Sequence, residues 1–207
     1  MRDPLKDAGL MIVLGALTML FGILLAEFLF PGYDVSENMI SDLGAFDHSV
    51  ESAVVFNVSI VLFGSLATYA AWTMREVLNG TFVIVVIAAG ISAIFVGVVN
   101  EHSINEIHYI ASVTTFLFGS MAIVLSTRHV RHRPLATVYM VLATVSLISL
   151  MTLGMMQWID LDMGLGPGAV ERLIAYPIIY WALMFGIQMM CIDHIGTIGT
   201  MGIRRVP

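Results

Sequence analysis

The sequence predicts an all-α polytopic membrane protein, a bundle of six transmembrane helices, from three observations. Of its 207 residues, 58% are hydrophobic and only 12% are charged, whereas soluble domains carry roughly a quarter charged residues. Six apolar runs have about the 20 residues that a helix needs to cross a bilayer. The basic residues collect at alternate ends of these runs. We therefore expect one transmembrane domain over residues 1–207.

The six predicted spans cover residues of about 8–30, 52–74, 81–99, 107–126, 134–156 and 168–192. The first run is followed by Pro31 and Gly32 and is too long for a signal peptide. The fifth begins behind Pro134, because proline is favoured in the first turn of a helix. The single cysteine, Cys191, excludes an intramolecular disulfide framework.

Lysine and arginine predict the orientation, because the cytoplasmic ends of spans collect them. Of the nine basic residues, only Arg172 falls on the side opposite the two termini. We therefore expect both termini in the cytoplasm, in the cell membrane. Glu27 lies one turn from the end of the first span, and we expect its side chain to extend to the membrane interface.

Three polar clusters are expected on the outer face. The first is the connector from Asp34 to Glu51, the second runs from Asn100 to His108, and the third runs from Gly166 to Tyr176. His108 begins a helix, with Ser112 one turn deeper on the same face. The candidate ligand-binding residues drawn from these clusters are Asn38, Ser41, Asp42, His108, Glu171, Arg172 and Tyr176.

Three functions are compatible with these clusters. In the leading hypothesis, Arg172, Asp42 and His108 recognise the head of a lipid or small amphiphile, such as a phosphate or carboxylate. In the second, a Zn²⁺-like metal supports hydrolysis of a lipid ester or amide. Its ligands would be Asp42, Glu101, His102 and His108.

The third hypothesis is structural. A buried pair of Arg172 with a carboxylate would, together with His108, hold the first loop on the bundle of a structural or accessory subunit. The sequence does not decide whether the protein is an enzyme. The expected partner is membrane lipid and not nucleic acid, and either a homo-oligomer or a membrane-complex partner stays open.

The polar clusters also resemble a known family. The stretch Asn38-Met39-Ile40-Ser41-Asp42-Leu43-Gly44, the start of the fourth span at Ile107–Ser112 and the Glu171-Arg172-Leu173 triplet are similar to the six-span prokaryotic family catalogued as domain of unknown function 998. The resemblance covers nearly the whole chain and implies an integral protein of an archaeal or bacterial plasma membrane. It implies no established reaction. A fainter likeness links the first loop to six-span proteins of the Frag1/DRAM type, some of which are associated with lipid remodelling.

Overall fold

The computed structural model describes residues 3–99, 105–130, 132–159 and 164–191. Within them the chain forms six long helices, and each is long and apolar enough to cross a membrane. The predicted all-helical fold of six spans is therefore confirmed, with helix ends within about one turn of the predicted ones. The helices are α1 (Pro4–Leu29), α2 (Val50–Thr73), α3 (Gly80–Val98), α4 (Asn105–Ser126), α5 (Arg133–Ile159) and α6 (Pro167–Met190).

Several helix starts have a local cause in the sequence. The side chains of Asp3, Ser49 and Asn79 each accept a hydrogen bond from a backbone N–H of the first turn that follows. Such caps satisfy donors that have no partner inside the helix. In α6, Pro167 occupies the first turn, where its missing N–H costs nothing.

The helices form a ring in chain order, each packed beside its sequence neighbours, and α1 closes the ring against α6. Small residues allow the closure. A Cβ placed on Gly9 would lie 2.5 Å from the carbonyl oxygen of Gly186, and one placed on Gly186 would lie 2.8 Å from that of Gly9. This is the close backbone approach that small residues allow between membrane helices.

The loop between α1 and α2 folds into one end of this ring, which we call the loop end. A short 3₁₀ helix, Ser41–Gly44, lies within it, and the side chains of Ile40 and Leu43 are buried. The backbone N–H of Ala169 donates to the carbonyl of Ser36 at 3.1 Å, so the loop rests on the start of α6. Its position on the ring is therefore set by both buried side chains and backbone contacts.

The orientation of the loop end relative to the membrane stays a prediction. On the charge pattern of the sequence it faces outward, with both termini in the cytoplasm.

We predict that Gly9→Ala destabilises the ring by about 1–3 kcal/mol, because its methyl group would meet the backbone of α6. The measurement is unfolding of the detergent-solubilised protein, followed by the loss of helical circular dichroism. Gly80→Ala is the matched control. A Cβ on Gly80 meets nothing within 4 Å, so this change should alter stability by less than about 1 kcal/mol. Equal effects of the two substitutions would contradict the close α1–α6 contact.

Candidate functional site

Arg172, on the first turns of α6, is enclosed by protein groups. Its Nη2 donates to Glu27 Oε1 and to the Tyr33 hydroxyl, each at 2.6 Å. Its Nη1 donates to the carbonyls of Val35, Asn38 and Gly168 at 3.1, 3.2 and 2.9 Å. The guanidinium thus ties the first loop and α1 to α6.

Glu27 corrects one expectation from the sequence. Its side chain does not extend to the interface but faces the bundle and forms an ion pair with Arg172, with 17% and 7% of the two side chains exposed. A buried charge needs a partner of opposite sign, and Arg172 supplies one within reach. Arg172 thus forms a buried pair with a carboxylate, and that carboxylate is Glu27. The structural role that the third hypothesis gives to such a pair stays a prediction.

Tyr33 completes this network from the loop. Its hydroxyl accepts from Arg172 and donates to the carbonyl of Met39 at 2.9 Å. Burial raises the pKa of Tyr33 from 10.0 to about 12. The folded protein holds this proton more tightly than the unfolded chain, so the associated stabilisation is full below pH 10 and is lost as the pH rises towards 12. At neutral pH the phenol is therefore protonated and can donate its hydrogen bond to Met39.

Glu171, the neighbour of Arg172, holds the other side of the loop. Its carboxylate is buried and accepts hydrogen bonds from the backbone N–H groups of Ile40 and Ser41, at the start of the 3₁₀ helix. These donors have no partner inside the short helix, so a carboxylate at this point satisfies them. The two adjacent charged residues of α6 thus bind the same loop, Glu171 through backbone N–H groups and Arg172 through backbone carbonyls.

A cavity of about 450 Å³ opens beside Glu171, between α4, α5 and the first loop. Its polar lining comes from Ser41, His108, Ser112, Gln157 and Glu171. Apolar side chains and one glycine form most of the remaining wall, namely Met39, Val113, Phe116, Leu150, Leu153 and Gly154. Tyr109 and Gln157 are exposed, so the cavity reaches the surface beside them. The cavity therefore has a polar end and a long apolar wall.

His108 lines this cavity, and one of its two ring nitrogens has no hydrogen-bond partner among the described residues. Its ring Nδ1 lies 2.9 Å from the carbonyl oxygen of Val99, at the end of α3. Its Nε2 is buried and has no hydrogen-bond partner among the described residues, and the same holds for Ser112 Oγ one turn deeper. A buried polar atom without a partner costs free energy unless something else satisfies it. Both atoms belong to side chains that line the cavity, so a polar group placed there would be within their reach.

The structure brings some of the predicted ligand-binding residues together and separates others. Ser41, His108 and Glu171 line the cavity. The other four do not line it: Asn38, Asp42, Arg172 and Tyr176. Asn38 Oδ1 accepts a hydrogen bond from the N–H of Asp34 at 2.9 Å, and Asp42 Oδ2 accepts one from the N–H of Met39 at 2.8 Å. Tyr176 packs against Tyr180.

Of the four residues of the predicted metal site, only Asp42 and His108 are among the described residues. Glu101 and His102 lie outside the described residues, whereas Asp42 bonds within its own loop and His108 contacts Val99. Among the described residues, no group of three or more His, Cys, Asp or Glu side chains is placed to hold a metal. The Zn²⁺-like cofactor stays a prediction that depends on the α3–α4 connector.

Sequence reasoning missed the whole contribution of α5. Leu150, Leu153 and Gly154 have the composition of any membrane-facing helix, and only Gln157, an amide near the end of the span, was a polar signal. Tyr33 was missed as well, because its partner Arg172 lies far away in sequence.

Together the fold and the site define a six-helix polytopic membrane protein with a cavity at one end. A family model described as "Protein of unknown function (DUF998)" matches residues 13–188. The chain belongs to this family, as the resemblance of its polar clusters indicated. Searches of curated proteins and of solved structures gave no match.

We predict that Arg172→Ala and Glu27→Ala each lower the stability of the protein by about 3–5 kcal/mol, because each leaves a buried charge without its partner. The double variant should lose less than the sum of the two losses. Unfolding in detergent measures all three.

The exposed pair of Arg75 and Glu76, with 42% and 67% of the side chains exposed, provides the control. Glu76→Ala should change stability by less than about 1 kcal/mol, since water already solvates both charges. Strictly additive losses at Glu27 and Arg172 would contradict a coupled pair.

Proposed function

We propose that this protein binds a small amphiphile or lipid in the cavity between α4 and α5. The observation that carries the proposal is the buried Nε2 of His108, which has no partner among the described residues and belongs to a side chain of the cavity wall.

The size and lining of the cavity support this proposal. Its 450 Å³ fall within the range of roughly 300–1,000 Å³ typical of small-molecule sites. Such sites are mostly apolar, with a few polar groups that orient the ligand. Here the polar groups lie at the loop end, and the apolar wall follows α4 inward from His108 to Phe116, about 12 Å along the helix.

This arrangement suits a molecule with a polar head and an apolar tail. The head would contact His108, Ser112 and the edge of Glu171, whereas the tail would lie against Phe116 and Leu153. Arg172, the predicted head-group ligand, would act indirectly by holding the loop that forms one side of the cavity.

The proposal is tested by filling the cavity. A Cβ on Gly154 meets nothing within 4 Å, and Gly154 lines the cavity, so the side chain in Gly154→Leu enters open space. The probe is an equimolar mixture of four oleoyl or oleyl amphiphiles: 1-oleoylglycerol, oleylamine, oleic acid and oleyl phosphate. We expect the mixture to raise the melting temperature of the wild type, with one adduct in native mass spectra. Gly154→Leu should lose both effects, and His108→Ala should weaken them by about tenfold in affinity, as for loss of one buried hydrogen bond.

Gly80→Leu is the matched control, because Gly80 also has open space around it but lies at the start of α3, away from the cavity. It should bind as the wild type does. Equal binding by wild type and Gly154→Leu, or no binding by either, would overturn the proposal. Elemental analysis of the same samples addresses the hydrolase hypothesis: about one zinc per chain, lost in His108→Ala, would favour the metal site over the amphiphile site.

A further inference from the structure

We infer that the ligand's head is a hydrogen-bond donor, either uncharged with hydroxyl groups or cationic as an amine, and not an anionic phosphate or carboxylate. This inference rests on the proposed amphiphile site and specifies its chemistry. It departs from the expectation drawn from the sequence, in which Arg172 receives an anionic head.

The tautomer of His108 gives the first reason. The carbonyl oxygen of Val99 can only accept a hydrogen bond, so Nδ1, 2.9 Å away, must carry the proton. In a neutral imidazole the other nitrogen is then an acceptor. Nε2 therefore offers a lone pair, and a hydroxyl or ammonium group can satisfy it whereas a phosphate oxygen cannot.

Glu171 gives the second reason. Its carboxylate lines the cavity and receives the two loop amides of Ile40 and Ser41. A carboxylate has about four acceptor positions, so capacity for a donor from the ligand is left. A second anion beside this carboxylate would be repelled at short range.

The positions of the basic residues give the third reason. No lysine or arginine is among the described residues that line the cavity. The connectors 100–104 and 160–163, outside the described residues, contain neither amino acid in their sequences. Among the described residues, Arg172 is the only arginine near this end, and it does not line the cavity. Its Nη1 and Nη2 are occupied by Glu27, Tyr33 and the carbonyls of the loop and of Gly168, and only its Nε has no partner among these residues. An anionic head would thus enter a buried site without a cation to compensate it, which is costly.

The packing of α4 and α5 indicates where the tail leaves the protein. The two helices make the least extensive contact of the neighbouring pairs in the ring. Two further cavities hold only about 40 and 50 Å³, and the smaller one shares Ser41, Ser112, Phe116 and Glu171 with the main cavity. Both are far below the roughly 300–1,000 Å³ of a small-molecule site, so they offer little room for a long acyl chain. The tail of an oleoyl ligand would therefore pass between α4 and α5 into the surrounding lipid, and the head group decides selectivity.

The experiment measures the affinity for each of the four probes separately, by titration in nanodiscs of zwitterionic lipid at pH 8. We expect 1-oleoylglycerol and oleylamine to bind at least about tenfold more tightly than oleyl phosphate and oleic acid. His108→Ala should weaken the first two and leave the two anionic probes nearly unchanged.

The outcomes separate the two proposals. Anionic probes that bind as tightly as the others, and lose binding in Gly154→Leu, would overturn this inference and leave the amphiphile site intact. If no probe binds, or if Gly154→Leu binds all four as the wild type does, both proposals fail. Tight binding of the two donor-bearing probes that depends on His108 and on an open Gly154 would support both.

Discussion

The hydrogen bonds and the ion pair of two adjacent charged residues of α6, Glu171 and Arg172, hold the first loop in its place at the loop end. Glu171 accepts from amides at the start of the 3₁₀ helix, and Arg172 donates to loop carbonyls and pairs with Glu27. The loop would otherwise carry backbone groups without partners into an apolar bundle, which is costly in a membrane. Because the same loop supplies Met39 and Ser41 to the cavity wall, these contacts also position one side of the cavity.

Charged residues at this position do more for specificity than for stability. Replacing a buried ion pair by apolar side chains of similar volume is often neutral or stabilising, whereas breaking one is costly. The guanidinium of Arg172 reaches three loop or helix carbonyls in addition to Glu27 and Tyr33, and that set of partners is compatible with one loop conformation. Here the charges specify where the loop lies.

Hydropathy and the positions of prolines were enough to predict the six helices, with ends within about one turn, because both depend on residues close together in sequence. The site depends on contacts between distant residues, and these were predictable only in part. Ser41, His108 and Glu171 could be found as polar groups in an apolar chain. Glu27 was misassigned because its position near the end of α1 also suits an interfacial side chain. The contribution of α5 to the cavity wall could not be predicted, since nothing in the sequence distinguishes Leu153 and Gly154 from residues that face lipid.

On the proposed function, Glu171 has two roles that are thermodynamically linked. It satisfies loop amides on one side and lines the cavity on the other, so the same carboxylate would share its acceptor positions between the loop and a ligand. A ligand that binds the docked loop more strongly than a released loop must stabilise the docked state to the same extent. On the proposed function, loop docking and amphiphile binding are therefore coupled through one buried side chain. This coupling gives a physical reason for a polar loop to be folded into the bundle, where an ordinary connector would remain at the surface.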